Sequence, residues 1–360
     1  MAYVKERLGN MSTLGLIFLM ILILFLSIIV AISIGVVSIP YDTIYKILLY
    51  NMTRGLISIG DPSILGSGTE FDIIWNIRSP RVFMAAVVGI ALAMAGVVMQ
   101  ATVQNPLADP YILGMSSGAS FGATFSIAIG AGALFTGTLA YAGIAIWAFL
   151  GAFVASILVL GLSSMGGRMT SVKLILSGVI IASLFGAFSN LIVVMAADAN
   201  EIQTITYWLL GSFGSARWYK ITIPLLAVVV CGIYFITQIR SLNTMLMGDE
   251  TATTLGLDLA KKRKMYVFMT SILTAAAVCF CGVIGFVGLM IPHIVRGITG
   301  NNHWKLLPIS CILGGIFMIA ADILARTVLN GGELPVGIIT AVCGTPIFAY
   351  IMIKKAYSFS

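Results

Sequence analysis

Long apolar runs alternate with short polar segments from one end of the chain to the other. An apolar run of about 20 residues is long enough to cross the hydrocarbon core of a bilayer as a helix. Reading the runs between charged and turn-forming residues predicts about ten spans. Their approximate bounds are 13–39, 81–103, 112–131, 139–164, 172–196, 221–240, 266–284, 285–297, 305–327 and 336–353. The pattern therefore predicts an all-α integral membrane protein.

Residues that break helices occur at two places, in the eighth predicted span and between the second and the third. The eighth is too short to cross as a plain helix and has glycines and Pro292 around it, which favours a broken or re-entrant segment. At 105–110, two prolines stand between apolar runs. Backbone that is broken at membrane depth is tolerated only inside protein or beside a cavity. These breaks are typical of a path through the membrane.

Small and polar residues follow the break at 105–110. Tight helix packing alone explains Gly118 and Gly122, since small residues let helices approach closely. It does not explain the polar pair Ser116 and Ser117 beside a proline-broken turn. We interpret this pair as lining a path.

Composition and charge placement support a membrane protein with both termini inside. Of 360 residues, 59% are hydrophobic and 9% are charged, whereas soluble domains carry roughly a quarter charged residues. The net charge of +7 by itself suggests a nucleic-acid partner, but the positions of the charges along the chain indicate a membrane protein instead. Most lysines and arginines, including Lys5, Arg7, Arg168 and Lys355, fall in predicted inner segments. Because positive charge in short loops stays in the cytoplasm, we expect no nucleic-acid partner.

Two loops are longer than their neighbours, an outer loop at about 40–80 and an inner loop at about 241–265. In the inner loop, 251–255 is predicted to form a short helix that ends with Gly256 as its C′ residue. A second helix is predicted to begin near Asp258. Four apolar positions favour a surface that docks a partner, and the basic run 261–264 is interpreted as a membrane anchor. The apolar positions are Leu246, Leu255, Leu257 and Leu259.

A further segment, 203–213, carries Tyr207 and Trp208 and is predicted to be a helix at the outer membrane interface.

No catalytic constellation is visible in the sequence. A phosphate-binding GxxxxGK[ST] loop is absent, because no glycine is followed directly by lysine. His293 and His303 have no carboxylate cluster near them, which favours capping or packing over a metal site. The five cysteines all fall in apolar runs and are interpreted as buried thiols. We expect no catalytic residue, metal or cofactor.

One interpretation is a transport path that is driven by partner proteins. The two alternatives are an ion-coupled secondary transporter and a membrane-embedded enzyme. An ion-driven transporter usually carries several ionisable groups at mid-membrane. The one candidate here is Asp322, with Arg326 four residues later on the same helical face. A local ion pair is favoured over a proton relay. The scarcity of buried ionisable groups therefore counts against both alternatives.

Six motifs in order along the chain resemble those of the FecCD family, the permease subunits of type II ABC importers for iron–siderophore complexes, haem and cobalamin. The motifs are Arg78-Ser-Pro-Arg81, 105–110 with its continuation to 119, 246–256, 285–296, 321–326 and 333–337. Two features depart from the family pattern. Ser79 stands where a leucine is common, and the outer loop is long.

The resemblance implies one transmembrane permease domain over 1–360, with ten spans in two inverted halves, in the cell membrane. It implies a cytoplasmic ATPase dimer, an extracytoplasmic substrate-binding protein and a second permease subunit as partners, beside membrane lipid. The second permease subunit is expected to be an identical copy, and a similar but different chain is the open alternative. The implied cargo is an iron chelate or cobalamin. ATP would be hydrolysed in a partner, which accounts for the missing phosphate loop, so this chain is not expected to be an enzyme.

The resemblance also implies roles for particular residues. Those expected to meet the binding protein are Arg78, Arg81 and Arg326. Those expected at the translocation path and its gate are Asn105, Leu107, Ser116, Ser117, Thr170 and Ser171. Those expected to couple to the ATPase are Gly248, Ala252, Leu255 and Gly256. Two alternatives stay open, namely headgroup anchoring for the arginines and capping of the turn before Pro106 for Asn105.

Overall fold

The computed structural model describes residues 13–61, 65–130, 142–165, 167, 169–196, 198–329 and 332–354. Across these residues the chain is helical and contains no strand. The helices are α1 Thr13–Ser33, α2 Tyr41–Met52, α3 Ser79–Thr102, α4 Met115–Ala128, α5 Gly143–Ser164, α6 Ser171–Met195, α7 Ala199–Leu210, α8 Trp218–Thr237, α9 Ile239–Met245, α10 Asp249–Thr254, α11 Leu259–Cys281, α12 Val287–Thr299, α13 His303–Thr327 and α14 Val336–Lys354. A helical turn, Thr69–Phe71, and a π-helix, Asp72–Arg78, lead directly into α3.

Each of the ten predicted spans coincides with one of these helices, so the all-α membrane fold is confirmed. In the described part of the chain, seven helices are long and apolar enough to cross a membrane. The short eighth span is also confirmed. It is α12, whose 13 residues extend about 20 Å at 1.5 Å per residue. The number of crossings, the inverted halves and the positions of the termini stay predictions, and Lys5, Arg7, Arg168 and Lys355 lie outside the described residues.

Helix α3 is the centre of the bundle. It is buried along nearly its whole length and packs against α8, α11, α12 and α13. A Cβ atom on Gly89 would lie 2.2 Å from the carbonyl oxygen of Gly314, and one on Gly96 would lie 1.9 Å from that of Gly288. Side chains at these positions would push the helices apart, so the close packing of α3 on α12 and α13 requires glycine.

Helices α4, α5 and α6 pack against one another beside this centre. A Cβ atom on Gly118 would lie 2.4 Å from the carbonyl oxygen of Gly151, and one on Gly122 would lie 2.0 Å from that of Trp147. The interpretation of Gly118 and Gly122 as close-packing positions is therefore confirmed.

The predicted outer loop, 40–80, is largely helical, which corrects its description as a loop. Helix α2 buries Ile44, Ile47 and Leu48 on one face. Their spacing of three and four residues is the helical period, so the sequence did carry this information. An exposed ion pair between Asp42 and Lys46, 3.1 Å apart, lies one turn along the same helix.

The helix predicted at 203–213 is present as α7, shifted towards the N-terminus. It begins at the cap Asp198, whose side chain accepts a hydrogen bond from the backbone N–H of Asn200, and it is followed by Gly211 with φ of 72°. Its position at a membrane interface stays a prediction. The five cysteines, all within the described residues, have free thiols.

Candidate translocation, coupling and docking sites

The inner loop predicted to couple to a partner contains the short helix α10. Gly248, with φ of 96°, precedes it, and Gly256, with φ of 84°, follows it. A Cβ atom on either glycine would meet nothing within 4 Å. Glycine is therefore required here by the left-handed backbone rather than by lack of space.

The end of α10 has the hydrogen bonds of a Schellman motif. The N–H of Gly256 donates to the carbonyl of Thr253 at 2.9 Å, and the N–H of Leu257 donates to that of Ala252 at 3.0 Å. The next helix begins at the cap Asp258. The predicted short helix, its Gly256 end and the restart near Asp258 are all confirmed.

The apolar residues of this loop divide into a buried set and an exposed pair. Ala252 is fully buried, while Leu255 is 63% exposed and Met247, before α10, is 61% exposed. The other three leucines predicted to face a partner pack against the core of the bundle instead, and this corrects the prediction. They are Leu246, Leu257 and Leu259. They anchor the loop, whereas Met247 and Leu255 are its apolar surface.

The first predicted gate turn follows α3 and has an unusual backbone. Its hydrogen bonds are again those of a Schellman motif, with the N–H of Asn105 donating to the carbonyl of Gln100 at 3.1 Å. The residue in the left-handed position is Gln104, with φ of 53°. A non-glycine residue in this conformation costs roughly 1–2 kcal/mol, so neighbouring contacts must hold the turn in place.

Asn105 closes the turn before Pro106. Its side-chain oxygen accepts a hydrogen bond from the N–H of Leu107 at 2.9 Å. The capping interpretation of Asn105 is confirmed. Both Asn105 and Leu107 are partly buried, and their role in narrowing a path stays a prediction.

The second predicted gate turn precedes α6. Thr170 is the N-cap of this helix, and its hydroxyl accepts a hydrogen bond from the N–H of Lys173 at 3.3 Å. Thr170 is exposed, Met169 is buried and Ser171 lies between these extremes. This turn therefore presents one hydroxyl outwards and one towards the bundle.

A single buried guanidinium connects both gate turns to the coupling helix. The Arg263 side chain is 1% exposed. Its Nε donates to the carbonyl oxygen of Thr102 at 3.2 Å, its Nη1 donates to that of Met169 at 3.2 Å, and its Nη2 donates to Ser171 Oγ at 3.0 Å. Nη1 and Nη2 also donate to the two carboxylate oxygens of Asp249, at 2.9 and 2.8 Å. Of the residues predicted for the gate, Ser171 bonds to Arg263 directly, and the other partners are sequence neighbours of predicted gate and coupling residues.

Gln104 forms a second connection between the same elements. Its side-chain amide donates to Asp249 Oδ1 at 2.8 Å and to the carbonyl oxygen of Met245 at 2.7 Å. The first gate turn is therefore bonded directly to the first residue of α10. We name Arg263, Asp249 and Gln104 together the Arg263 cluster.

The Arg263 cluster was missed in the sequence and corrects the interpretation of 261–264 as a membrane anchor. Lys261 and Lys264 are exposed, but Arg263 points into the bundle. The sequence did carry information on this point. Arg263 shares the buried face of α11 with residues three, four and seven positions later, namely Tyr266, Val267 and Thr270.

The three arginines predicted to dock a binding protein lie at the other end of α3 or beside it, and all are buried. Arg78 donates to the carbonyl oxygens of Ile32, Ser33 and Val37. Arg326 donates to those of Ala31 and Ile34, at 2.7 and 2.9 Å. Both side chains hold the C-terminal end of α1 and the segment that follows it onto the bundle.

Arg81 pairs with two carboxylates that are distant in sequence. Its Nε donates to Asp322 Oδ1 at 2.8 Å, and its Nη1 donates to both oxygens of Glu333, at 2.7 and 2.8 Å. The predicted local ion pair is confirmed, with Arg326 Nε 3.3 Å from Asp322 Oδ2. We name Arg81, Asp322, Arg326 and Glu333 the Arg81 cluster. Direct contact of its arginines with a binding protein stays a prediction, because their described partners lie within this chain.

Ser116 and Ser117 lie in the first turn of α4, directly after Gly114, whose φ is 71°. Both are partly buried. Their place along a translocation path stays a prediction.

Comparison with known proteins agrees with this arrangement. The chain is 39% identical over 330 residues to the uncharacterized ABC transporter permease protein YvrB of Bacillus subtilis, covering 91% of this chain and 90% of that protein. It is 40% identical over 280 residues to the cobalamin import system permease BtuC of Halobacterium salinarum, covering 78% and 73%. It is 34% identical over 312 residues to the hemin transport system permease HmuU of Yersinia pestis, covering 85% and 92%.

A solved structure described as an inward-facing conformation of a metal-chelate type ABC transporter has the same architecture. It superposes with a TM-score of 0.78 at 29% identity, over 95% of this chain and 99% of that one. The model of the FecCD transport family matches residues 21–354. The resemblance found in the sequence is confirmed, and the chain is a multi-pass membrane protein that belongs to the FecCD transport family.

Proposed function

We propose that this ABC importer permease forms the translocation path for a metal chelate of the cobalamin or iron–haem class, with its gate in the turns after α3 and before α6. One observation carries the gate assignment. The two turns lie within reach of one guanidinium, which also holds the helix that faces a partner. A gate must respond to the element that receives force, and this contact provides the connection.

The cargo is proposed from the relatives and from the composition of the candidate path. The similar permeases are named for cobalamin and hemin, and another relative is named for molybdate. Small and hydroxyl-bearing residues dominate the candidate positions, and such residues suit bulky ligands without fixing one of them. Selection among chelates is therefore assigned to the substrate-binding protein.

Uptake by the reconstituted transporter tests this function. The chain is assembled in lipid vesicles with its ATPase and its binding protein, and uptake of cobalamin, hemin, a ferric siderophore and molybdate is compared. We expect uptake of one chelate that requires both partners and ATP. Uptake that is driven by an ion gradient without ATP would instead support the secondary transporter. Saturable uptake of molybdate alone would contradict the chelate assignment.

We propose that two copies of the chain enclose the path. The exposed hydroxyl of Thr170 and the partly buried Leu107 then face the second copy. Leu107→Cys and Thr170→Cys, in a background without the five native cysteines, are expected to link across subunits and to stop transport. If neither thiol links in any nucleotide state, these residues do not line a gate between two copies.

We propose that the binding protein docks on the end of the bundle that carries the Arg81 cluster. Complementary charge steers such encounters. The two arginines of the Arg81 cluster are balanced by its two carboxylates, whereas neighbouring Arg78 donates to carbonyl oxygens and adds a positive charge at this end of the bundle. Binding of the binding protein is expected to weaken with salt. Arg78→Lys retains the charge and is expected to preserve this salt dependence, whereas Arg78→Met is expected to reduce it. Equal salt dependence for both variants would contradict the proposal.

A further inference from the structure

We propose that Arg263 is a positioning residue that transmits displacement of α10 to the two gate turns. This inference rests on the proposed function and specifies how the coupling surface reaches the gate. It assigns a mechanical role to a residue of the basic run 261–264 that has no direct access to a partner.

The hydrogen bonds of Arg263 leave no donor unused. A guanidinium carries five N–H donors in a fixed planar arrangement. Here the single donor of Nε and the two donors on each of Nη1 and Nη2 match five described contacts. One acceptor is the last carbonyl of α3, which leads into the first gate turn, two belong to the second gate turn, and two belong to Asp249. Because the group is rigid and fully engaged, movement of the Asp249 carboxylate requires the other acceptors to follow or their hydrogen bonds to break.

Helix α10 is built to move as a small unit. Its six residues lie between two glycines in the left-handed region, Gly248 and Gly256. Buried Ala252 fixes the helix to the bundle, and Leu255 at its C-terminal end is exposed. The Asp249 side chain is 42% exposed, so it lies at the boundary between the partner-facing surface and the buried guanidinium. A push on Leu255 therefore reaches Asp249 and Arg263 through the six residues of α10.

The first gate turn is held by its contact with α10. Gln104 has a left-handed backbone that L-residues seldom adopt, and its side chain bonds to Asp249 and to the carbonyl of Met245. Loss of these contacts removes the restraint that keeps this backbone in place. Packed elements of this kind switch between discrete arrangements rather than deforming continuously. The Arg263 cluster thus joins a short helix bounded by two glycines to a turn whose left-handed backbone depends on contacts with that helix.

Arg263→Lys in the complete transporter tests the proposal. Lysine keeps the charge but has three donors at one point, so it cannot bond to Asp249 and both gate turns together. Assembly with the ATPase and basal hydrolysis of ATP are expected to be unchanged. Uptake per ATP hydrolysed is expected to fall about tenfold, within the range by which substitutions in coupling networks change coupling between sites. The matched control is Arg240→Lys, at an exposed arginine, which is expected to transport normally.

A second variant, Gln104→Leu, and a measurement of thiol reactivity at position 107 distinguish transmission of movement to the gate from simple stabilisation of the fold. Gln104→Leu keeps the side-chain size but removes both hydrogen bonds, and it is expected to lower uptake per ATP in the same direction. In the parent protein, ATP binding is expected to change the reactivity of a thiol introduced by Leu107→Cys. In the Arg263→Lys background, that nucleotide-dependent change is expected to disappear although ATP still binds.

Several results would overturn the inference. One is unchanged uptake per ATP in both variants, and another is a lowered melting temperature with coupling intact, which would make Arg263 a structural residue only. Failure of both variants to insert would likewise assign the cluster to folding. Failure of the proposed function looks different, because the unmodified complex itself would then show no ATP-dependent uptake.

Discussion

The Arg81 cluster and the Arg263 cluster contain the same kind of interaction at opposite ends of the bundle. Each places a buried arginine against a carboxylate from another part of the chain. Arg81 is near the first residue of α3, and Arg263 bonds to the last one. Arg81 and Thr102 lie on the same helix and are separated by about 32 Å along its axis. What differs is the element that carries the carboxylate.

In the Arg81 cluster the principal carboxylate is on a long, packed helix. Asp322 is 1% exposed and lies on α13, which packs closely against α3. In the Arg263 cluster the carboxylate opens a six-residue helix between two glycines. The first cluster joins two long packed helices, whereas the second joins a long helix to a short one bounded by two glycines. Under our proposal, the first arginine is structural and the second transmits displacement of its partner helix.

The largest effect on stability is expected from Arg81→Met. Removing one member of a buried ion pair leaves the other charge uncompensated and costs about 3–5 kcal/mol. The variant leaves Asp322 buried with Arg326 as its remaining partner. Thermal unfolding in detergent measures the loss. Arg240→Met, at an exposed arginine, is the control and is expected to change little. A loss for Arg81→Met as small as that of the control would mean that water reaches Asp322.

The sequence predicted the helices well because hydropathy is a local property. All ten spans and the Gly256 end of α10 follow from patterns within a few residues. The Arg263 cluster could not be read in the same way, since Thr102 and Met169 are 161 and 94 positions away from Arg263. Such contacts depend on how helices pack. Only the placement of Arg263 on the buried face of α11 was available beforehand.

The next largest effect is expected at the coupling surface, from Leu255→Asp. The exposed Leu255 side chain is expected to fill an apolar groove on the ATPase, and truncation of such anchors costs 2 kcal/mol or more, about a 30-fold loss of affinity. The variant is expected to insert and to bind the binding protein, but not to co-purify with the ATPase. Leu255→Met retains apolar volume and is expected to behave normally. Full stimulated hydrolysis in the aspartate variant would place the coupling surface elsewhere.

A smaller effect on stability is expected from variants that test the backbone conformation of the first gate turn. Gln104→Ala and Gln104→Gly both remove the two side-chain hydrogen bonds, but only glycine adopts the left-handed conformation without steric cost. The glycine variant is therefore expected to be more stable than the alanine variant by about 1 kcal/mol. Denaturant unfolding of the two variants measures the difference. Equal stability would mean that the turn changes its backbone once the bonds to Asp249 are lost, which would weaken the contrast between the two clusters.

The smallest effect is expected from Glu333→Gln, which tests the outer edge of the Arg81 cluster. Glu333 and Asp322 bond to the same arginine, but the Glu333 side chain is 49% exposed. Water competes for a half-exposed carboxylate and screens its charge, so this pair is worth about 0–1 kcal/mol. The melting temperature is expected to change little, and less at high salt. A loss comparable to that of Arg81→Met would show that Glu333 is shielded in the assembled transporter, and that both carboxylates of this cluster are structural.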